Sequence, residues 1–338
     1  MIVIMRPRST AEHVKHIVKT LDELGVRSYT VNGAGRNIVE VLGANGELDI
    51  TLLQNLPMVD RVIDHAGAML AANREPDDRT REVPLSTKAT VGGKKLAIIA
   101  GPCSVEDKGQ LVEVACAVKE AGAVALRGGA FKPRTSPYAF QGHGEQGLEL
   151  LAMAAEQTGL AVVTEVMRCE HVDMVARYAD VLQVGSRNMH HTHLLSAVGR
   201  QGKPVLLKRG WSATFDEFLL AAEYIMLEGN HNVILCERGI RTHETYVRNT
   251  LALGIVPEVK RVSTLPIIVD PSHGTGRRHL VTPMSYAAVA CGADGLIIEV
   301  HRTPDLAWTD GSQSLTPEQF SSLMKGLKAF AEAADRHI

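Results

Sequence analysis

LAIIAGPCSVEDKGQLVEVACAVKEAGAVALRGG, residues 96–129, decides the fold. It opens on a continuously apolar run, LAIIAG (96–101), which breaks at Pro102-Cys103. KGQLVEVACAVKEAG (108–122) then places apolar residues at three- and four-residue steps and stops on glycine, the pattern of a helix with its C-terminal signal. AVALRGG (123–129) is apolar again. Two strands with no polar face, joined by a helix, make a βαβ unit of a parallel sheet buried on both sides.

The same rhythm continues downstream. AVVTEV (161–166), VLQVGS (181–186), PVLLKRG (204–210), VILCERG (233–239), PIIVDPSH (266–273) and GLIIEVH (295–301) complete eight runs. Helical stretches separate them, TFDEFLLAAEYIMLEG (214–229) being the clearest. Eight strands alternating with helices over roughly 240 residues predict a (β/α)8 TIM barrel, with a doubly wound open sheet as the structural rival. Upstream the order is different. MIVIM (1–5) reads as a strand and STAEHVKHIVKTLDELG (9–25) as a helix with Ser9 as N-cap and Gly25 as stop. RSYTVNG, RNIVEVLG, a helical ITLLQNLP and VDRVIDHAG follow. This βαββαβ order predicts a ferredoxin-like domain over residues 1–72. Residues 73–83 are charged and read as a linker; 84–95 read as a β-hairpin leading through Gly92-Gly93 into the barrel, which closes the chain at 338.

Composition narrows the functional classes. Apolar residues are 45% of 338 and aromatics 4%, so aliphatic side chains fill the core. A net charge of -2 of mixed sign excludes the global field of a nucleic-acid or membrane binder. The apolar opening is too short for a signal peptide and no run reaches a membrane span, so a cytoplasmic protein is expected. Five scattered cysteines without CxxC predict free thiols. Cys116, Cys169 and Cys291 fall in helical regions and read as packing residues; Cys236 lies on a strand. His190, His191 and His193 start a helix away from the other candidate groups and read as surface residues. Ser104 and Ser272 lack a GxSxG context.

Polar residues gather where the strands end. In a barrel those ends share one mouth, where charge beside a core is costly unless used. The cations are Arg127, Lys132, Arg134, Arg187, Lys208 and Arg238, partly balanced by Glu165, Glu237, Asp270 and Glu299. Six converging cations call for phosphate or carboxylate ligands. KPRTS (132–136) reads either as part of that grip or as a solvated basic loop. Cys103, His273, Glu299 and Asp310 follow the first, seventh and eighth strands, which are neighbours in a closed barrel. Thiolate, imidazole and two carboxylates suit Mn2+, Fe2+, Co2+ or Zn2+. Singly, each has an ordinary reading as a buried thiol or a turn residue.

AGPCSVE (100–106), LRGGAFKPRTSPYAFQG (126–142), QVGSRN (183–188), LLKRG (206–210), ILCERGIRT (234–242), VDPSHGTGRR (269–278), EVH (299–301) and DGSQSL (310–315) resemble the 3-deoxy-D-arabino-heptulosonate 7-phosphate (DAHP) synthase family. The resemblance is to its short microbial branch, which carries an N-terminal ferredoxin-like regulatory domain. It implies condensation of phosphoenolpyruvate with erythrose 4-phosphate, the first step of the shikimate pathway. It implies Cys103, His273, Glu299 and Asp310 as metal ligands. Arg127, Lys132, Arg187, Lys208 and Arg238 become phosphoenolpyruvate contacts. Pro133, Arg134, Thr135 and Ser186 become erythrose 4-phosphate contacts, with Ser186 standing where alanine is expected. Lys132 is implied to reach between the two substrates as proton donor or orienter, and Glu165 to position water. A homotetramer inhibited by Tyr or Phe at the N-terminal domain is the family expectation. Two alternatives stay open: a sister enzyme of the 3-deoxy-octulosonate 8-phosphate synthase type, and a non-catalytic phosphometabolite-binding barrel.

Overall fold

The structure is a computed structural model that describes residues 1–33, 36–42, 48–63, 79–134 and 136–338. Residues 73–78 of the expected linker, and Thr135, lie outside the described residues. The chain divides into two compact units, one N-terminal and one carrying the barrel.

The N-terminal unit runs β1 (Ile2–Met5), α1 (Ala11–Glu23), β2 (Arg27–Gly33), β3 (Arg36–Leu42), α2 (Ile50–Gln54) and β4 (Val59–Ile63). Its four strands form a sheet in the order β2-β3-β1-β4, with β1 antiparallel to both neighbours. This is the ferredoxin-like arrangement. Alternation explains its core: Met1, Val3, Met5, Val39 and Val41 meet Ile17 and Leu21 of α1 and Leu53 of α2. Ser9 is not the cap of α1. Thr10 is, and its backbone N–H donates to Nδ1 of His13 at 3.1 Å, the reciprocal half of a capping box.

In the second unit, β5 (Val83–Ser86) and β6 (Ala89–Val91) form the hairpin. The barrel strands are β7 (Ala97–Gly101), β8 (Ala125–Arg127), β9 (Ala161–Glu165), β10 (Val181–Val184), β11 (Val205–Lys208), β12 (Val233–Glu237), β13 (Ile267–Val269) and β14 (Gly295–Glu299). They close in parallel in sequence order, with β14 pairing β7. All eight runs are strands, so the open sheet is excluded. The helices are α3 (Lys108–Glu120), α4 (Glu145–Thr158), α5 (Val172–Tyr178), α6 (Thr192–Gln201), α7 (Phe215–Leu227), α8 (Ile255–Val262), α9 (Pro271–Thr275), α10 (Arg278–Ala290) and α11 (Pro317–Ala333). Among the described residues, no helix is long and apolar enough to cross a membrane.

One buried cluster joins Val83, Leu85 and Val91 of the hairpin to Ala97, Ile99, Ala125, Ala161, Val163, Val181, Leu206, Ile234, Cys236, Ile268 and Ile297. These are the inward positions of the lower barrel, so the hairpin plugs its bottom. Each valine, leucine or isoleucine there is worth about 1.5–3 kcal/mol of burial. Gly92 lets the hairpin turn in: its φ is 113° and a Cβ would stand 2.0 Å from the Arg81 carbonyl oxygen. Cys116 differs from expectation. It is exposed on α3, on the face turned to solvent.

Candidate active site

Period-two alternation carries seven of the eight barrel strands from core to polar side chains; in β7, inward Ile99 is followed by Gly101. Two residues after inward Ala125 comes Arg127; after Val163, Glu165; after Val181, Gln183; after Leu206, Lys208. Likewise Cys236 is followed by Arg238, Ile268 by Asp270 and Ile297 by Glu299. The inner wall therefore changes from aliphatic to ionic within one pleat. Glu237 has the opposite parity. It is fully buried outside the barrel lumen, paired with Arg209 at 2.9 Å, and does not balance the mouth as expected.

A cleft of about 350 Å3 opens at the mouth. Arg127, Lys132, Arg134, Arg187, Lys208 and Arg238 all line it, as do Pro133, Ser186, Glu165 and His273. Arg248 and Trp211 line it too and had no recognisable signal in the sequence. Trp211 is sandwiched: the Arg187 guanidinium lies 5.0 Å from its ring centroid and that of Arg241 4.5 Å. Among the described residues, Arg127 Nε and Arg238 Nη1 are buried without a hydrogen-bond partner. Buried guanidinium nitrogens are seldom left unpaired, and an anion satisfies them. Glu165 projects across the floor beside Gln183, 3.3 Å away. Gly185 makes room for it, since a Cβ there would stand 2.1 Å from its carboxylate.

On one wall, donor atoms of Cys103, Glu299 and Asp310 lie within 4.8 Å of one another. Cys103 Sγ is 3.4 Å from Asp310 Oδ2. His273 Nε2 faces the same group, 3.4 Å from Glu299 Oε1 and 3.8 Å from Asp310 Oδ2. These separations suit ligand atoms around an ion bound at about 2.0–2.3 Å. The residues come from β13, β14 and β7, which are neighbours in the barrel. Asp270 was placed among the acidic residues of the mouth, but its function went unread. Its Oδ2 accepts from His273 Nδ1 at 2.8 Å and also meets Lys208 Nζ. That fixes the tautomer and turns the Nε2 lone pair to the group. Gln313 donates to Glu299 Oε2 at 2.7 Å, and Arg127 to Oε1 at 3.1 Å. Lys132 Nζ lies 3.0 Å from Cys103 Sγ and 3.0 Å from its carbonyl oxygen.

Electrostatics fit a cation. Burial, then the Glu299 carboxylate, push the Cys103 thiol up to about 12 despite Lys132. Burial lowers His273 below the usual imidazole range, against Asp270 and Glu299, so it is neutral and able to ligate. Burial would raise Asp310, but His273, Arg248 and Lys132 outweigh it and hold the carboxyl at about 2. His190, His191 and His193 follow β10, across the mouth from this group; His191 Nδ1 caps α6 by accepting from Leu194 N–H at 3.0 Å.

Residues 81–335 match the DAHP synthetase I family, and residues 1–64 the DAHP synthase ferredoxin-like domain. Phospho-2-dehydro-3-deoxyheptonate aldolase of Thermotoga maritima is 44% identical over 335 residues, 98% of either chain. A solved structure of the DAHP synthase of that organism superposes with a TM-score of 0.80 at 43% identity, covering 99% of this chain and 98% of that one. A truncated form of the Thermotoga synthase covers 79% of this chain and 97% of its own at a TM-score of 0.73 and 47% identity. 2-Dehydro-3-deoxyphosphooctonate aldolase of Syntrophotalea carbinolica is 33% identical over 257 residues, 70% of this chain and 91% of its own. The heptonate relative thus matches the whole chain, whereas the octonate relative leaves about a third of it unmatched. The chain belongs to the DAHP synthetase I family and carries that family's ferredoxin-like domain.

Proposed function

We propose that this enzyme condenses phosphoenolpyruvate with erythrose 4-phosphate, giving 3-deoxy-D-arabino-heptulosonate 7-phosphate and phosphate. One observation carries the reading: a single mouth brings a cation-lined cleft, with unpaired guanidinium nitrogens, against a thiol, an imidazole and two carboxylates. Cys103, His273, Glu299 and Asp310 would hold a divalent ion. When bound, that ion supplies Lewis-acid polarisation of an aldehyde oxygen.

The chain's own residues do the rest. Arg127, Arg187, Lys208 and Arg238 hold the carboxylate and phosphate of phosphoenolpyruvate and stabilise charge developing there. Pro133, Arg134 and Ser186 form the aldose phosphate end. This pre-set alignment lets carbon three of phosphoenolpyruvate attack the aldehyde carbon without further loss of freedom. Lys132 delivers a proton to the nascent hydroxyl oxygen. Its pKa is raised: burial opposes the charge, but the nearby Cys103 and Glu299 more than restore it, so it enters the reaction as the ammonium. Glu165 orients the water that adds to carbon two before phosphate departs with C–O cleavage. Lys132→Met should lower kcat at least a hundredfold, and Glu165→Gln at least tenfold, in steady-state assays. Turnover close to normal in either variant removes that residue's role.

A cleft of this kind also suits another aldose phosphate. Chelator-treated enzyme, supplied with each divalent ion in turn, is to be assayed with erythrose 4-phosphate and with arabinose 5-phosphate. The reading requires metal-dependent consumption of phosphoenolpyruvate with the four-carbon aldose. Preference for arabinose 5-phosphate establishes the octonate-type alternative; phosphoenolpyruvate binding without consumption establishes a non-catalytic barrel. The reading places the enzyme in the cytoplasm as a homotetramer, with an aromatic amino acid acting through the N-terminal domain. The family match of residues 1–64 supports that last element.

A further inference from the structure

Three rungs join the loop after β7 to the loop after β14. Cys103 Sγ meets Asp310 Oδ2 at 3.4 Å, and the Ser104 hydroxyl meets that of Thr309 at 2.7 Å. Glu106 Oε1 accepts the Trp308 backbone N–H at 2.8 Å. Residues about two hundred positions apart are thereby paired in antiparallel order, ending on two members of the donor group. The second Glu106 oxygen is 3.2 Å from His301 Nε2. His301 Nδ1 accepts from Thr303 N–H at 2.9 Å, so Nε2 carries the proton and donates to Glu106. His143 Nε2 donates to the Glu106 carbonyl at 2.8 Å and binds in the loop that carries Lys132 and Arg134. Ser104, Glu106, His301 and Thr309 are all buried.

Asp310 needs such a hold. Its backbone sits in the left-handed region, φ 50° and ψ 30°, which costs a residue with a Cβ unless its surroundings enforce it. Neither Ser104 nor Glu106 lines the cleft, so neither touches a substrate there. We infer that Glu106, supported by Ser104, is a positioning residue: its carboxylate clamps the β14 loop so that the Asp310 carboxylate stays beside Cys103 in ligating geometry. The inference rests on the metal-binding reading of that group.

The test uses the full chain, stripped of metal by a chelator and titrated with Co2+ while the thiolate-to-Co2+ absorption band is followed. Wild type should develop the band. Glu106→Ala should bind Co2+ roughly tenfold to a hundredfold more weakly, while the melting temperature of its metal-free form stays near that of wild type. Glu106→Gln keeps an oxygen for the Trp308 N–H and should recover most of the affinity. Ser104→Ala should weaken binding severalfold. Wild-type affinity in Glu106→Ala overturns the clamp, as does equal loss in Glu106→Gln. Should Glu106→Ala fail to fold, wild-type affinity in Ser104→Ala overturns it. No thiolate band in wild type instead removes the metal reading beneath it, and the inference with it.

Discussion

Cys236 shows how one inward position joins core and chemistry. It belongs to the aliphatic cluster of the lower barrel, yet Arg238, two residues on, lines the cleft. Burial pushes its thiol far above the ordinary value of 9.0. As pH rises past 9, the unfolded chain releases this proton and the folded chain keeps it. Stability must then fall with pH, by about 1.4 kcal/mol per unit from this one group. Cys236→Ala loses that slope, so its stability deficit against wild type should shrink as pH rises above 9. Urea titrations at pH 8, 9 and 10 check this; a constant deficit contradicts it. At the same scale, the sequence pointed to Cys103, His273, Glu299 and Asp310 as one group because four residues of ligating type lie at or after three strands that closure makes neighbours. Asp270 was equally visible as a letter, but its task was not. Orienting His273 depends on a side chain three residues away across a helical turn, and spacing alone does not distinguish it from an ordinary cap. Arg248 and Trp211 reach the cleft from loops, where no periodicity fixes direction.

Strands were legible and short helices were not. A run apolar on both faces has few options other than a central parallel strand, so all eight were readable to within a few residues. Within PIIVDPSH, β13 ends at Val269 and a separate helical turn, α9, begins at Pro271. The reason was present in the letters: Asp270 as N-cap, accepting from His273 N–H, and proline at the first helical position. That single turn is what presents the imidazole. At the opposite end, the hairpin inserts Leu85 into the barrel floor. Leu85→Ala should cost about 2–5 kcal/mol by opening a cavity there, read as a lower denaturation midpoint. Because the floor lies a full layer below the cleft, KM for either substrate should stay within about twofold. A variant as stable as wild type contradicts the plug.

The two units match two separate family models. Heptonate and octonate aldolases align with 98% and 70% of this chain, and residues 1–64 match the DAHP synthase ferredoxin-like domain. A truncated relative with a solved structure covers 79% of this chain. Removal of residues 1–75 should leave turnover within severalfold of the full chain and abolish inhibition by Tyr and Phe. Unchanged inhibition contradicts a regulatory N-terminal unit. In the proposed reaction one mouth holds metal and phosphoenolpyruvate side by side. A crystal grown with Mn2+ and phosphoenolpyruvate, measured for anomalous scattering, tests it directly. The account predicts one strong peak bonded to Cys103, His273, Glu299 and Asp310, with the substrate phosphate on Arg187 and Arg238; a peak elsewhere, or phosphoenolpyruvate bound away from these arginines, contradicts it.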